Sequence, residues 1–245
     1  MKNAKSGAGI AGGAIAALAF AAALAAPAAA QEKLKIGVIL TLSGPAANLG
    51  EQARDAINLA VKNLGGKVGG VDTEVVTVDD ELKPDVSVTK VKALLERDKV
   101  DFVIGPIFSN VLQAIHKPVT DSSAILISPN AGPSSYAGKM CSPNFFVTSY
   151  QNDQVHAILG KYAQDKGYKR VYLMTPNYQA GKDSMAGFKS QYNGEVVEES
   201  YVPLNTMDFS AELAKIAAAK PDAVFTFMPG GPGVNLVKQY RQAGL

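Results

Sequence analysis

The sequence has no tryptophan, one cysteine and two histidines in 245 residues, and each scarcity removes a class of chemistry. Cys141 has no second cysteine to meet, so no disulfide forms within the chain. In an oxidising compartment such a residue is either a buried small hydrophobe or half of a pair whose partner lies elsewhere. His116 and His156 are far apart, with no CxxC or HExxH nearby, so metal chemistry has almost no raw material. No metal or other cofactor is expected. Nucleotide and hydrolase signatures are missing as well. The first apolar run is not followed by GxGxxG, and neither GxxxxGK[ST] nor GxSxG occurs. Ser43 before Gly44 has no partner histidine suggested by spacing. The main enzymatic rival, a nucleotide-dependent α/β enzyme, therefore lacks its motifs, and no enzymatic activity is expected.

Charge of one sign is also lacking. The chain holds 24 basic against 22 acidic residues, and Lys2 and Lys5 fall within the first thirty. Without residues 1–30 the two signs balance, which argues against a basic nucleic-acid face. Those thirty residues have their own logic. After the two lysines, Ile10 to Ala26 is uncharged and built of small and apolar residues. Ala28-Ala29-Ala30 then supplies a small-x-small pattern, and Gln31-Glu32-Lys33 restores polarity. This is the layout of a secretory signal peptide cleaved after Ala30. The alternative is a retained anchor, but a run so rich in Ala and Gly partitions weakly into lipid. No cysteine stands ready for lipidation and no Arg-Arg pair is present. The mature chain is expected to be soluble in the periplasm.

From residue 33 strand and helix patterns alternate. Leu34 to Leu40 is a nearly continuous apolar run, as for a strand buried on both faces. Leu49, Ala53, Ile57, Ala60, Val61 and Leu64 recur at helical spacing, and Gly65-Gly66 ends that segment. Thr73 to Val78 alternates like a strand, Pro84 opens a helix, and Phe102–Gly105 and Ile125–Ile127 repeat the buried-strand signal. Three βα units and a fourth strand thus fit before about residue 130, which predicts a parallel doubly wound sheet. The beat restarts with a helix at about 151–166, a strand at Arg170 to Met174 and a helix over about 180–192. A strand from Val196 to Tyr201 follows, then a helix N-capped by Asp208, a strand at Ala223 to Phe227 and a last helix to about Ala243. The expected fold is α/β with two Rossmann-like lobes, residues 31–150 and 151–245, after a signal peptide of 1–30. Doubly wound lobes commonly run to roughly 100–150 residues, so the second is expected to be C-terminally incomplete.

Open α/β sheets bind ligands beyond the carboxyl ends of their strands, where strand order reverses. Those ends carry Thr41 to Gly50, Gly105 to Asn110 and Ser128 to Pro133, each rich in Gly, Pro, Ser and Asn. Such loops leave backbone N–H groups free, and a helix N-terminus adds a dipole that favours a carboxylate. The alternative is that they are ordinary βα turns. In the second lobe Pro176 to Asp183 and Met228 to Gly233 hold corresponding places, which brings Pro229 into the candidate site. Tyr178 suits a flat wall with a polar tip, or else packs on the lobe surface. Tyr150 falls at the expected hinge.

Several of these segments, in order, resemble the leucine-binding type of periplasmic binding protein. They are Ile36-Gly37-Val38 through Leu42-Ser43-Gly44-Pro45, Val103 to Pro106, Ile127 to Ala131, Asn177-Tyr178 with Gly181-Lys182-Asp183, Asp208-Phe209-Ser210 and Gln242 to Leu245. The resemblance covers residues 33–245. It implies two lobes joined by hinge strands, a solute in the cleft, and closure read by an ABC transporter permease in the inner membrane. It implies that Ser109 binds a ligand carboxylate, that Asn130, Ala131 and Gly132 contribute backbone contacts, and that Leu49 lies where an aromatic side chain is common. Asn152 lies near a position that helps to hold an ammonium group, with Asp153 adjacent. Gly132 replaces a common threonine, and Ala180 stands where a stacking tyrosine is frequent, two residues after Tyr178. These departures weaken the case for a branched-chain amino acid and leave aromatic acids, short carboxylates, amides and urea-like solutes open. A periplasmic sensory ligand-binding module of the same fold would read identically.

Overall fold

The computed structural model describes residues 33–138 and 140–245, together with Met1. The expected leader, with Lys2, Lys5 and Ala28 to Ala30, lies outside the described residues.

Strand β1 (Leu34–Leu40) is central in the first sheet, which explains its nearly continuous apolar run. It pairs in parallel with β3 (Val71–Asp79) on one side and β4 (Phe102–Ile104) on the other. Strand β5 (Ile125–Ser128) follows β4, and β6 (Phe145–Val147) forms the edge. With β2 (Lys67–Val68) the order is β2-β3-β1-β4-β5-β6, all parallel except the short β2–β3 hairpin. The crossovers are helices α1 (Ala47–Asn63), α2 (Pro84–Glu96) and α3 (Ser109–Thr120). Strand order reverses between β1 and β4, so their carboxyl ends diverge into a crevice there.

Helix α4 (Asn152–Asp165) leads to the second sheet, of order β8-β7-β9, all parallel: β7 (Arg170–Pro176), β8 (Glu195–Val202) and β9 (Ala223–Thr226). Helices α5 (Gln179–Ser190), α6 (Ser210–Ala219) and α7 (Gly231–Gln242) complete this lobe. Its two faces are filled by separate clusters, one around Leu173, Met185 and Phe188 and one around Tyr172, Phe209 and Ile216. The core of the first lobe reaches across to Tyr178 and Ala180, and residues Leu34–Leu245 form one compact unit. No helix among the described residues is long and apolar enough to cross a membrane.

Two expectations are corrected. Asp208 is not the N-cap of α6; Phe209 is. The Asp208 carboxylate accepts from the Ser210 backbone N–H at 3.0 Å and from its hydroxyl at 2.6 Å, serving the first turn from one residue further out. The Phe209 ring meanwhile goes fully into the core. Cys141 is exposed and not a buried hydrophobe, because it lies in the connection between a 3-10 turn (Ser134–Ala137) and β6, not on a packed face.

Both histidines are held against aromatic rings. His116 stacks on Tyr136 with centroids 4.3 Å apart and meets Phe145 edge-on at 4.9 Å; its Nε2 is buried without a partner among the described residues. His156 pairs its Nδ1 with the Asn152 carbonyl at 2.7 Å and packs edge-on to Phe227 at 5.0 Å. Burial pushes both pKa values below the ordinary imidazole value, although Asp121 and Asp153 pull the other way. The unfolded chain then takes up protons first as pH falls through about 6.5, so stability is complete above that value and declines below it. The urea midpoint is expected to fall between about pH 7 and 5, and His116→Phe should flatten part of that fall. A midpoint constant across this window would show that neither imidazole is penalised by folding.

Candidate functional site

Three loops leave the carboxyl ends of β1, β4 and β5, and each is anchored differently. The β1 loop is tied down by an acidic pair at the end of β3. Thr41 donates its hydroxyl to Asp80 Oδ1 at 2.6 Å, the Leu82 N–H reaches the same oxygen, and the Leu42 and Glu81 N–H groups donate to Asp79 Oδ1. Asp80 is fully buried, and burial raises its pKa against the lowering effect of Thr41 and Leu82. Burial works in the same direction on Asp79, but the donors from Leu42, Glu81 and Ser43 outweigh it and hold its pKa low. Gly50 then lets α1 lie on the Thr41 carbonyl, where a Cβ would collide with the oxygen.

The β4 loop runs directly into α3, whose N-cap Phe108 has no capping side chain, so the first-turn N–H groups stay open. Ser109 is the first residue of that helix and is buried. The β5 loop carries Asn130, Ala131 and Gly132, and all three carbonyls are occupied. They accept from Ser149 Oγ at 3.0 Å, Ser128 Oγ at 2.6 Å and the Asn152 N–H at 2.8 Å, respectively. None of the three N–H groups donates to another of the described residues. With its carbonyls engaged, the loop offers donors. Gly132 is required by the close approach of the segment that leads into α4: a Cβ would overlap the Tyr150 carbonyl oxygen.

Leu49 and Asn130 come together on a cavity of about 310 Å³ that Gln52, Ala53, Ile107 and Pro129 complete. Asn130 is fixed there by its Nδ2, which donates to the Ile107 carbonyl at 2.7 Å. Asn152 joins Ser109 directly, Nδ2 to Oγ at 3.2 Å, and Ala131 and Gly132 continue the donor loop. Ser109, Ala131, Gly132 and Asn152 do not border this cavity, and neither do Tyr178 and Pro229, which arrive from the second sheet. The Tyr178 ring packs between Phe108 at 6.1 Å and Phe227 at 6.4 Å. Burial, with Tyr150 and Asp183 nearby, pushes its phenol well above the usual value, so it is a neutral group. Pro229 is half-buried in the turn after β9, whose Gly231 N–H donates to the Pro45 carbonyl at 3.2 Å. Tyr150 is partly exposed beside a second cavity of about 260 Å³ shared with Gly132, Tyr136 and Phe145.

Asp183 was not singled out as a site residue, yet its buried carboxylate joins the lobes. It accepts from the Ser134 N–H at 3.2 Å, Asn152 Nδ2 at 3.0 Å and Gln179 Nε2 at 2.8 Å. Its place four residues after Gln179, on one helix face, was the available signal. Phe108 and Phe227 were missed as interlobe contacts.

A family model described as periplasmic binding protein matches residues 33–245. The Leu/Ile/Val-binding protein homolog 6 of Brucella melitensis is 32% identical over 227 residues, covering 91% of this chain and 58% of its own length. A solute-binding protein of an ABC transporter from R. palustris, solved in complex with benzoate, is 35% identical with a TM-score of 0.84. That match covers 87% of this chain and 60% of the other. A branched-chain amino acid transporter substrate-binding protein of Streptococcus pneumoniae, solved with isoleucine, is 27% identical with a TM-score of 0.78, covering 87% of this chain and 62% of the other. The chain thus spans less than two thirds of each of these relatives.

Proposed function

Because the chain belongs to the periplasmic binding protein family, we propose that it is the solute receptor of an ABC importer. It reaches the periplasm through a signal peptide cleaved after Ala30 and presents its solute to a permease of the inner membrane. The proposed solute is a small organic carboxylate, an aromatic acid in preference to an amino acid. Ser109, Asn130, Ala131 and Gly132 form the anion-facing side with Asn152 behind Ser109, Leu49 the apolar side, and Tyr178 and Pro229 the contact from the second lobe.

The observation that carries this reading is the polarity of the 130–132 loop. Its carbonyls are consumed and its N–H groups are not, beside Ser109 and the uncapped start of α3. Such an array suits an anion. An amino acid needs an acceptor for its ammonium group as well. Of the nearby carboxylates, Asp183 already accepts from three donors, and Asp153 accepts from Gln151 at 2.7 Å. The likeness to the benzoate-bound R. palustris protein supports the same choice.

The test is a titration of periplasmic protein beginning at Gln31, followed by tyrosine emission, which no tryptophan obscures. Benzoate should bind more tightly than isoleucine, and Ser109→Ala should weaken benzoate by about 1–3 kcal/mol, roughly 5- to 150-fold. Tight isoleucine binding with no response to benzoate would overturn the aromatic reading. Undiminished affinity in the Ser109 variant would remove that residue from the site.

A further inference from the structure

We propose that Asp183 is a positioning residue: it holds the Asn152 amide with its nitrogen toward Ser109, and so leaves the Ser109 hydroxyl to donate to the solute. This deepens the carboxylate reading above and rests on it.

The direction of each bond follows from groups that can act in only one sense. Asp183 Oδ2 receives the Ser134 backbone N–H at 3.2 Å, and a backbone N–H only donates. The same oxygen lies 3.0 Å from the Asn152 side chain, and Oδ1 receives Gln179 Nε2 at 2.8 Å. Turned the other way, Asn152 would set its carbonyl oxygen against a carboxylate, with no proton between them. The nitrogen therefore faces Asp183, and its second proton points to Ser109 Oγ at 3.2 Å. A hydroxyl has one proton to give. Having accepted from Asn152, Ser109 keeps that proton for an acceptor, and none is found for it among the described residues.

Asn152 and Ser109 are 5% and 2% exposed, so water competes weakly for these bonds and the orientation is enforced. The polarity of the site is thus set from the second lobe by a residue that touches no solute. With the N–H groups of Asn130, Ala131 and Gly132, Ser109 completes a set made only of donors. A carboxylate satisfies such a set with two acceptor oxygens. A carboxamide of the same shape offers one acceptor and brings two protons that meet none.

The experiment compares benzoate with benzamide on wild type, D183N and N152A by tyrosine emission. In D183N the Asn152 amide is free to turn and offer Ser109 an acceptor, and in N152A the enforced donor is gone. The benzoate-to-benzamide affinity ratio is expected to fall about tenfold in either variant, one hydrogen bond's worth of discrimination. A purely structural role would weaken both solutes equally, and an unchanged ratio overturns the proposal. A second readout needs no solute. The side-chain amide protons of Asn152 in ¹⁵N-labelled protein should exchange slowly in wild type and faster in D183N. Fast exchange in wild type overturns the proposal whatever the protein binds. Should wild type prefer isoleucine, the aromatic reading alone fails, and isoleucine with its amide gives the same ratio test. Binding of neither carboxylate overturns the proposal together with that reading.

Discussion

Tyr178→Ala is expected to cost about 3–5 kcal/mol of folding stability, the range for removing a large ring from a packed core. The ring is 8% exposed and lies between Phe108 of the first lobe and Phe227 of the second. Its removal opens a void that neither lobe can close by itself, since the surrounding groups belong to different sheets. Tyr178→Phe keeps the ring and should stay within about 1 kcal/mol of wild type, the scale set for volume-conserving exchanges in cores. Urea unfolding of the three proteins decides the matter. An Ala variant with the wild-type midpoint would mean that the two lobes do not share this contact in solution.

Gly132→Thr is expected to damage the site, although threonine is what the leucine-binding resemblance leads one to expect there. The segment before α4 passes so close that a Cβ at residue 132 meets the Tyr150 carbonyl oxygen, and the Gly132 carbonyl is itself tied to the Asn152 N–H at 2.8 Å. Backbone on both sides has to move, at about 1–3 kcal/mol for a strained insertion. The displaced loop also carries the three free N–H groups, so binding of the carboxylate should weaken by at least about tenfold. Unfolding midpoint and solute titration on the same preparation separate the two effects. A variant with wild-type values for both would show that the 132 and 150 backbones are further apart than described.

Where residues fall on a repeating pattern, the fold was legible. Strands β1 and β7 are long, apolar and central, and the helix over 84–96 announces itself with Pro84 and its apolar spacing. Strands of two and three residues, β2 and β6, are too short to show a period and were not anticipated. The loops at the carboxyl ends were legible too, because Gly, Pro, Ser and Asn mark them and topology places them together.

The partners of each side chain were not legible. Tyr178 reads as a wall for a ligand, but a sequence cannot say that its ring also packs on Phe108 and Phe227. Asp183 bonds to residues 49 and 31 positions away, so no local pattern reveals it. The same holds for Asp80, which reaches back 39 positions to Thr41. Gly132 looked like a loss of a ligand contact, and its cause lies in the close backbone approach of Tyr150.

In the proposed receptor, the contacts between the lobes bear on how tightly a solute is held. They touch at Pro45 with Gly231 and at Ser134 with Asp183, and the Phe108–Tyr178–Phe227 cluster spans the lobes as well. If a solute enters only when these contacts part, the receptor competent to bind is a minority population. Measured affinity is then the intrinsic affinity scaled down by that population, a tenfold penalty for each roughly 1.4 kcal/mol by which the lobes prefer each other. Adhesion that steadies the empty receptor is thereby subtracted from its hold on the solute.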